Sequence, residues 1–280
     1  MTTLSFAQRR LWFIDRFEGP SATYNIPFLL RLTGRLDVDA LASALRDVVI
    51  RHESLRTVFV VDDGVPAQHV VPAGELRLDL PLVEASPDEA DALVARAVAH
   101  HFELSSEIPV RTTLVRTGPE EHTLVLNIHH IAADGESMVP LTRDLALAYG
   151  ARLESRAPDW EELPVQYRDY TLWQREMLGD EDDPDSPLAV QLEYWRGELA
   201  GSPEQLQLPF DRPRPAVISH RGAMVDFPIP RELAGAAERI AAAHGASTPM
   251  VMQTALAVLL HHLGAGEDIP IGATIAGRVD

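Results

Sequence analysis

Apolar residues recur at every second position in several short runs and at every third or fourth in several longer ones. This pattern predicts a layered fold of strands and helices. Ser5-Phe-Ala-Gln8 reads as a capping box opening a helix through Leu11, Trp12 and Ile14 to about Phe17. Residues 24–32 read as a strand. Asp37 then caps a long helix whose apolar positions are Leu41, Leu45, Val48, Val49, His52 and Leu55, with Arg51 and Arg56 on the same element. Residues 57–61 and 68–71 flank Asp62-Asp63-Gly64, a hairpin signal, and residues 76–82 alternate in strand fashion. Ser86-Pro-Asp-Glu89 is a second capping box, for a helix to about His101.

Residues 110–116 and 123–129 read as two further strands turned around Gly118-Pro119, followed by helices over 137–149, 165–178 and 188–199. The Pro-rich stretch 203–215 is of the kind that links two lobes. Beyond it the pattern predicts a strand over 223–229, helices over 231–244 and 248–263, and a last strand over 269–274. No repeat or low-complexity tract interrupts this order.

Composition narrows the chemistry more than the fold. The 280 residues carry a net charge of −18, which argues against nucleic-acid or anionic-membrane partners. All 24 basic residues are arginine, so no lysine is present for a Schiff base or a Walker-type phosphate loop. With no cysteine, the chain has no thiol nucleophile, disulfide or Cys-based zinc site. The charged first twenty residues are not a signal peptide, and the apolar run 250–260 is too short to span a bilayer, which makes a cytoplasmic location the expectation.

The chemistry concentrates in His129-His-Ile-Ala-Ala-Asp-Gly135, at the end of the run 123–128. Histidine can take or share a proton near neutral pH, and an acid followed by Gly suits a sharp turn. By strand alternation His130 shares the apolar face of Leu124, Leu126 and Ile128, pointing to an interior or a tunnel. On spacing alone, a functional His130 and a buried, hydrogen-bonded one both stand, and Asp134 reads first as a turn former. Metal binding is disfavoured, because neighbouring strand histidines point to opposite faces and no HExxH is present. GxSxG, GxGxxG and GxxxxGK[ST] are also missing.

HHIAADG has companions. Ser5-Phe-Ala-Gln-Arg-Arg-Leu-Trp12, Arg51-His-Glu-Ser-Leu-Arg-Thr-Val-Phe59, Tyr167-Arg-Asp-Tyr-Thr-Leu-Trp-Gln174 and Ile271-Gly-Ala-Thr-Ile-Ala-Gly-Arg278 occur with it in order. Together they resemble the motifs of condensation domains of non-ribosomal peptide synthetases, from end to end of the chain. The resemblance implies an α/β (α+β) two-layer sandwich of the chloramphenicol-acetyltransferase-like kind, two lobes around a tunnel. It divides the chain into an N-terminal lobe over 1–178, a connection over 179–220 and the beginning of a C-terminal lobe over 221–280. Because such domains continue well beyond the IAGR motif, the expectation is a piece of a larger synthetase, with an incomplete second lobe.

The activity implied is peptide-bond formation between a donor acyl or peptidyl thioester and the amine of an acceptor aminoacyl thioester. Both ride on phosphopantetheine arms of carrier domains, with an adenylation domain adjacent; the chain itself binds no cofactor and no metal. By the resemblance the catalytic residues are His130, as base or as a group positioning the amine and the tetrahedral intermediate, with His129 beside it and Gly135 admitting the thioester. Asp134 is structural and pairs with an arginine of the second motif, Arg51 in preference to Arg56. Aminolysis of a thioester fits this economy, since a thiolate leaves readily and orientation plus one proton acceptor is what helps. The wording of the first motif and of HHIAADG resembles the subtype taking an L-configured donor. The alternatives are a stand-alone coenzyme-A-dependent acyltransferase of the same fold and a non-catalytic carrier-docking module.

Overall fold

The computed structural model describes residues 2–19, 21–215, 222, 223 and 225–274. In chain order the elements are β1 (Thr2–Thr3), α1 (Phe6–Glu18), β2 (Asn25–Thr33), α2 (Val38–Arg51), β3 (Thr57–Asp62), β4 (Val65–Val70), β5 (Leu82–Glu84) and α3 (Pro87–Val98). They continue as β6 (Val110–Gly118), β7 (Glu121–His129), α4 (Met138–Leu153), α5 (Tyr167–Leu178), α6 (Pro187–Glu198), α7 (Arg231–Ala243) and α8 (Thr248–His262). Short 3-10 turns at Glu53–Arg56 and Gly135–Ser137 join α2 to β3 and β7 to α4. The strands form a four-stranded sheet ordered β2-β7-β6-β5 and a three-stranded sheet ordered β1-β4-β3. Two compact units result, Met1–Leu188 and Ala189–Asp280.

Local chemistry explains the element starts. The Ser5 hydroxyl accepts from the Gln8 amide at 3.1 Å while the Gln8 side chain accepts from the Ser5 amide at 3.0 Å. Glu89 accepts from the Ser86 amide at 3.0 Å at the start of α3, with Pro87 in the first turn. The hairpin β3–β4 turns through Asp63 at φ +48° and Gly64 at φ +81°, the left-handed pair that matches the twist of the flanking strands.

β7 is the spine of the first unit. It pairs antiparallel with β2 along one side (Asn25↔His129 to Thr33↔Glu121) and with β6 along the other. Leu124, Leu126 and Ile128 enter the main core against Leu41, Leu45 and Val48 of α2 and Leu141 and Leu145 of α4. Each such side chain contributes about 1.5–3 kcal/mol on burial. Residues of the opposite parity face α3, where the Asn127 Nδ2 group donates to the carbonyls of Ala97 and Val98. A central strand is therefore buried on both faces.

Three expectations change. Of the alternating run 76–82 only Leu82 joins a ladder, in the short strand Leu82–Glu84 parallel to β6, because the earlier residues lie along the core (Leu76 is buried) without a continuous strand partner. The described residues of 223–229 form no strand; Val225 and Phe227 are exposed. Residues 269–274 likewise form none, and 275–278 of the IAGR motif lie outside the described residues. The pattern had supplied alternation there, and pairing needs a neighbouring edge.

Within the second unit α7 and α8 pack on each other, with Ala237 and Ala241 buried. α8 starts at a Ser247 cap, whose hydroxyl accepts from the Met250 amide at 3.4 Å.

Candidate active site

The ladder of β7 ends at His129, and HHIAADG carries the chain from the sheet into α4. The His130 amide still donates to the Tyr24 carbonyl at 2.8 Å, so the backbone is tied to the start of β2 while the side chain leaves the strand. His130 is exposed, and its ring makes no hydrogen bond with any described residue. This corrects the alternation argument, which put His130 on the apolar face. The strand ends at His129, where the pattern placed its end, and alternation does not carry over to the residue beyond it.

His129 is the buried member, 3% exposed, with Phe102 edge-on at 6.1 Å and Tyr24 tilted at 6.5 Å between ring centroids. Its Nδ1 accepts from the Ile131 amide at 3.1 Å, which places the ring proton on Nε2. Burial, aided by the neighbouring His130, pushes its pKa down to about 4. A neutral His129 thus pins the turn from which His130 projects. Ile131 packs with Leu4, Leu11, Phe59, Phe102 and Leu104 in a second core, against which Trp12 also lies. That cluster joins HHIAADG to the SFAQRRLW and RHESLRTVF motifs. The fourth motif joins them through Tyr167, whose hydroxyl lies 3.0 Å from the Ser5 hydroxyl.

Asp134 caps the turn. Its Oδ1 accepts from the Ser137 amide at 3.0 Å and from the Ser137 hydroxyl at 2.6 Å, while that hydroxyl accepts from the Asp134 amide. Gly135 follows, and a Cβ there would meet nothing within 4 Å, so the space beside its backbone is open.

Neither arginine of the second motif is bonded to Asp134. Arg51 donates from Nε to Asp144 Oδ2 at 2.9 Å and from Nη1 to the Glu161 carbonyl at 2.6 Å, with Trp160 stacked 4.7 Å from its guanidinium. His52 Nε2 lies 2.9 Å from the same Asp144 oxygen. Asp144 is 2% exposed on the α4 stripe that carries Leu141, Leu145 and Ala148. That position takes it across to the end of α2, whereas Asp134 is short and turned toward Ser137. Burial alone would raise the Asp144 pKa, but the hydrogen bonds from His52 and Arg51 outweigh it and hold it low. Burial also lowers His52, against the pull of Asp144. Arg56 is held by the Val71 carbonyl at 2.6 Å and the Ile50 carbonyl at 3.2 Å, a clamp between the end of α2 and β4.

Asp144, His52 and Ser137 were missed by sequence reasoning. A signal existed for the first: an acid at the i+3 position between Leu141 and Leu145 sits on a buried stripe, and a buried acid demands a cation. No group of three His, Asp or Glu side chains converges as a metal site among the described residues. No helix among them is long and apolar enough to cross a membrane.

The chain is similar to synthetases over nearly its whole length. The chain is 52% identical over 280 residues to the isonitrile lipopeptide synthase of Mycobacterium tuberculosis, covering 99% of this chain and 11% of that protein. It is 50% identical over 277 residues to the dimodular nonribosomal peptide synthase of Bacillus subtilis, covering 99% of this chain and 12% of the relative. The chain therefore spans only about a tenth of the length of these relatives. Among solved structures, the X-domain of teicoplanin biosynthesis, in complex with OxyB, superposes with a TM-score of 0.88 at 38% identity over 95% of this chain and 57% of that one. The fold is thus the chloramphenicol-acetyltransferase-like one. The profile described as Condensation domain matches residues 1–280, and with HHIAADG closing the central strand of that fold, the chain belongs to the condensation-domain family.

Proposed function

We propose that this chain catalyses amide-bond formation between a donor acyl or peptidyl thioester and the amine of an acceptor aminoacyl thioester. The observation that carries the reading is the exposed, uncommitted ring of His130 at the end of a doubly paired strand, held there by a buried neutral His129. The acceptor nitrogen attacks the thioester carbonyl and the C–N bond forms. The tetrahedral intermediate then collapses with loss of the C–S bond. His130 takes the proton that the nitrogen sheds and returns it to the departing thiolate. Gly135 leaves room for the thioester, and Asp134, Arg51 and Arg56 support the turn and the helix ends around it.

Both substrates arrive on phosphopantetheine arms of donor and acceptor carrier domains, with an adenylation domain nearby, in the cytoplasm. The donor residue is L-configured, a reading supported by the wording of the first motif and of HHIAADG. The test is to load both carriers and follow dipeptidyl thioester by mass spectrometry with the parent chain and with His130→Ala. Product at the parent rate from His130→Ala would sink the catalytic role. A recruitment role without chemistry is the rival, favoured by the likeness to the X-domain solved in complex with OxyB; it predicts carrier binding with no product.

A further inference from the structure

Asn25 stands opposite His129 in the β2–β7 ladder, so the two side chains share the face of the sheet turned toward α3. Its Nδ2 donates to the Val98 carbonyl at 2.8 Å and to the His100 carbonyl at 2.7 Å. The last carbonyls of a helix have no partner within it. These two bonds therefore fasten the end of α3, and the residue just past it, to the start of β2 beside the end of β7. Asn127 supplies a close comparison on the same face. It also donates twice, to the Ala97 and Val98 carbonyls at 3.2 and 3.3 Å, but does not reach His100. The Oδ1 atoms of both amides are buried and unpaired, so the two side chains differ chiefly in which carbonyls they hold.

The segment held by Asn25 reaches His129 through two rings. His100 meets Phe102 edge-on at 5.0 Å between centroids, and Phe102 meets His129 edge-on at 6.1 Å. Phe102 is buried and also packs with Ile131. It thus covers both ends of the bond from the Ile131 amide to His129 Nδ1 that pins the turn. Only a neutral His129 accepts that bond, and burial among these rings keeps it neutral. The titratable groups around it are His130, Tyr24 and, across Phe102, His100. Glu107 holds His100 Nε2 at 2.9 Å and Arg111 Nη1 at 3.2 Å, which leaves His100 fixed by its backbone at one side and by its ring at the other.

We propose that Asn25 is a positioning residue for amide formation, holding the chain from Val98 to Phe102 so that Phe102 keeps water from His129 and the turn stays set for His130. The proposal rests on the condensation reading above. The test compares the parent with Asn25→Ala and Asn127→Ala, each variant losing two hydrogen bonds to the same helix end. Ring NMR follows the titration of His129, and mass spectrometry with loaded carriers at slightly alkaline pH gives kcat and KM. Asn25→Ala is expected to admit water and raise the His129 pKa from about 4 to about 5 or above. It should also lower kcat about tenfold with KM unchanged. Asn127→Ala is expected to melt at a lower temperature and leave the His129 titration and kcat at the parent values. Asn25→Ser, which keeps one donor, should shift both in the same direction and takes the place of Asn25→Ala if that variant does not fold. The same effects in Asn127→Ala, or a His129 titration or kcat at the parent value in the Asn25 variant, would overturn the proposal. Failure of both Asn25 variants to fold would make the residue a structural one and overturn it too. A parent that forms no product would overturn the condensation reading, while the His129 titration still decides whether Asn25 governs the turn.

Discussion

The Arg51 guanidinium and the Asp144 carboxylate meet at 2.9 Å, joining the last residue of α2 to the middle of α4 with both partners largely buried. The ion pair lies behind the turn that bears His130: α4 begins where Ser137 closes that turn, and α2 packs on the face of β7 that leads to it.

Because His52 and Arg51 both depend on Asp144, Asp144→Ala strands a buried guanidinium. The expected loss is about 3–5 kcal/mol of unfolding free energy, read from urea denaturation. A double-mutant cycle distinguishes the partner. Arg51 and Asp144 should couple strongly, while Arg51 and Asp134 should be additive to within about 0.5 kcal/mol; the reverse result would restore the pairing that sequence reasoning favoured.

Asp134 and Ser137 act as a reciprocal cap, and Ser137→Ala removes the two bonds of the hydroxyl while the amide of residue 137 still donates to Asp134 Oδ1. About 1 kcal/mol should be lost, in the range of helix caps. Thermal melting checks the stability, and product formation is expected to fall alongside because the turn bearing His130 loosens. Activity unchanged in a chain destabilised by that amount would separate the cap from the chemistry.

The two histidines of the motif should divide stability from activity. His130→Ala touches an exposed ring, so unfolding free energy should stay within about 0.5 kcal/mol of the parent, while amide formation drops by about 10²–10⁴-fold. His129→Ala removes a packed ring and the acceptor of the Ile131 amide, and should lower stability and activity together.

Acid should weaken the fold through His129. Its folded pKa of about 4 lies below the ordinary 6.5, so the unfolded chain binds the proton more readily. Stability from this group is complete above the unfolded value and is lost as pH falls through the window between them. The loss is on the order of 3 kcal/mol once both pKa values are passed. His52, also lowered by burial, acts in the same direction. Unfolding free energies measured across that window should show a shallower slope in His129→Asn; an identical slope would refute the assignment. Nitrogen NMR should find Nδ1 of His129 unprotonated at neutral pH.

Much of this architecture was readable from spacing and local chemistry. The capping boxes at Ser5 and Ser86, the Asp63-Gly64 hairpin and the strand leading to HHIAADG each depend on a few adjacent residues, and each is found. What escaped depends on residues far apart in the chain. Whether 223–229 forms a strand turns on a partner edge, and the partner of Arg51 turns on how α2 crosses α4, which no local pattern encodes. His130 was misplaced for a smaller reason: the alternation of β7 was extended one residue past its end at His129. Gly135 and Asp134 were identified as turn formers from local chemistry, whereas the hydroxyl of Ser137 that completes the turn carried no pattern of its own.

β7 is hydrogen-bonded along both edges and covered on both faces, so its amides can open only when the surrounding sheet opens. Hydrogen exchange there should report the global unfolding free energy, with Val125 to Ile128 among the slowest amides in the first unit. The imidazole of His130 then hangs from the part of the chain that fluctuates least. Its backbone is anchored before any substrate arrives, while the exposed ring keeps its rotamer freedom, so under the proposed reaction the strand fixes where the imidazole is rooted and the arriving thioester and amine select how it points.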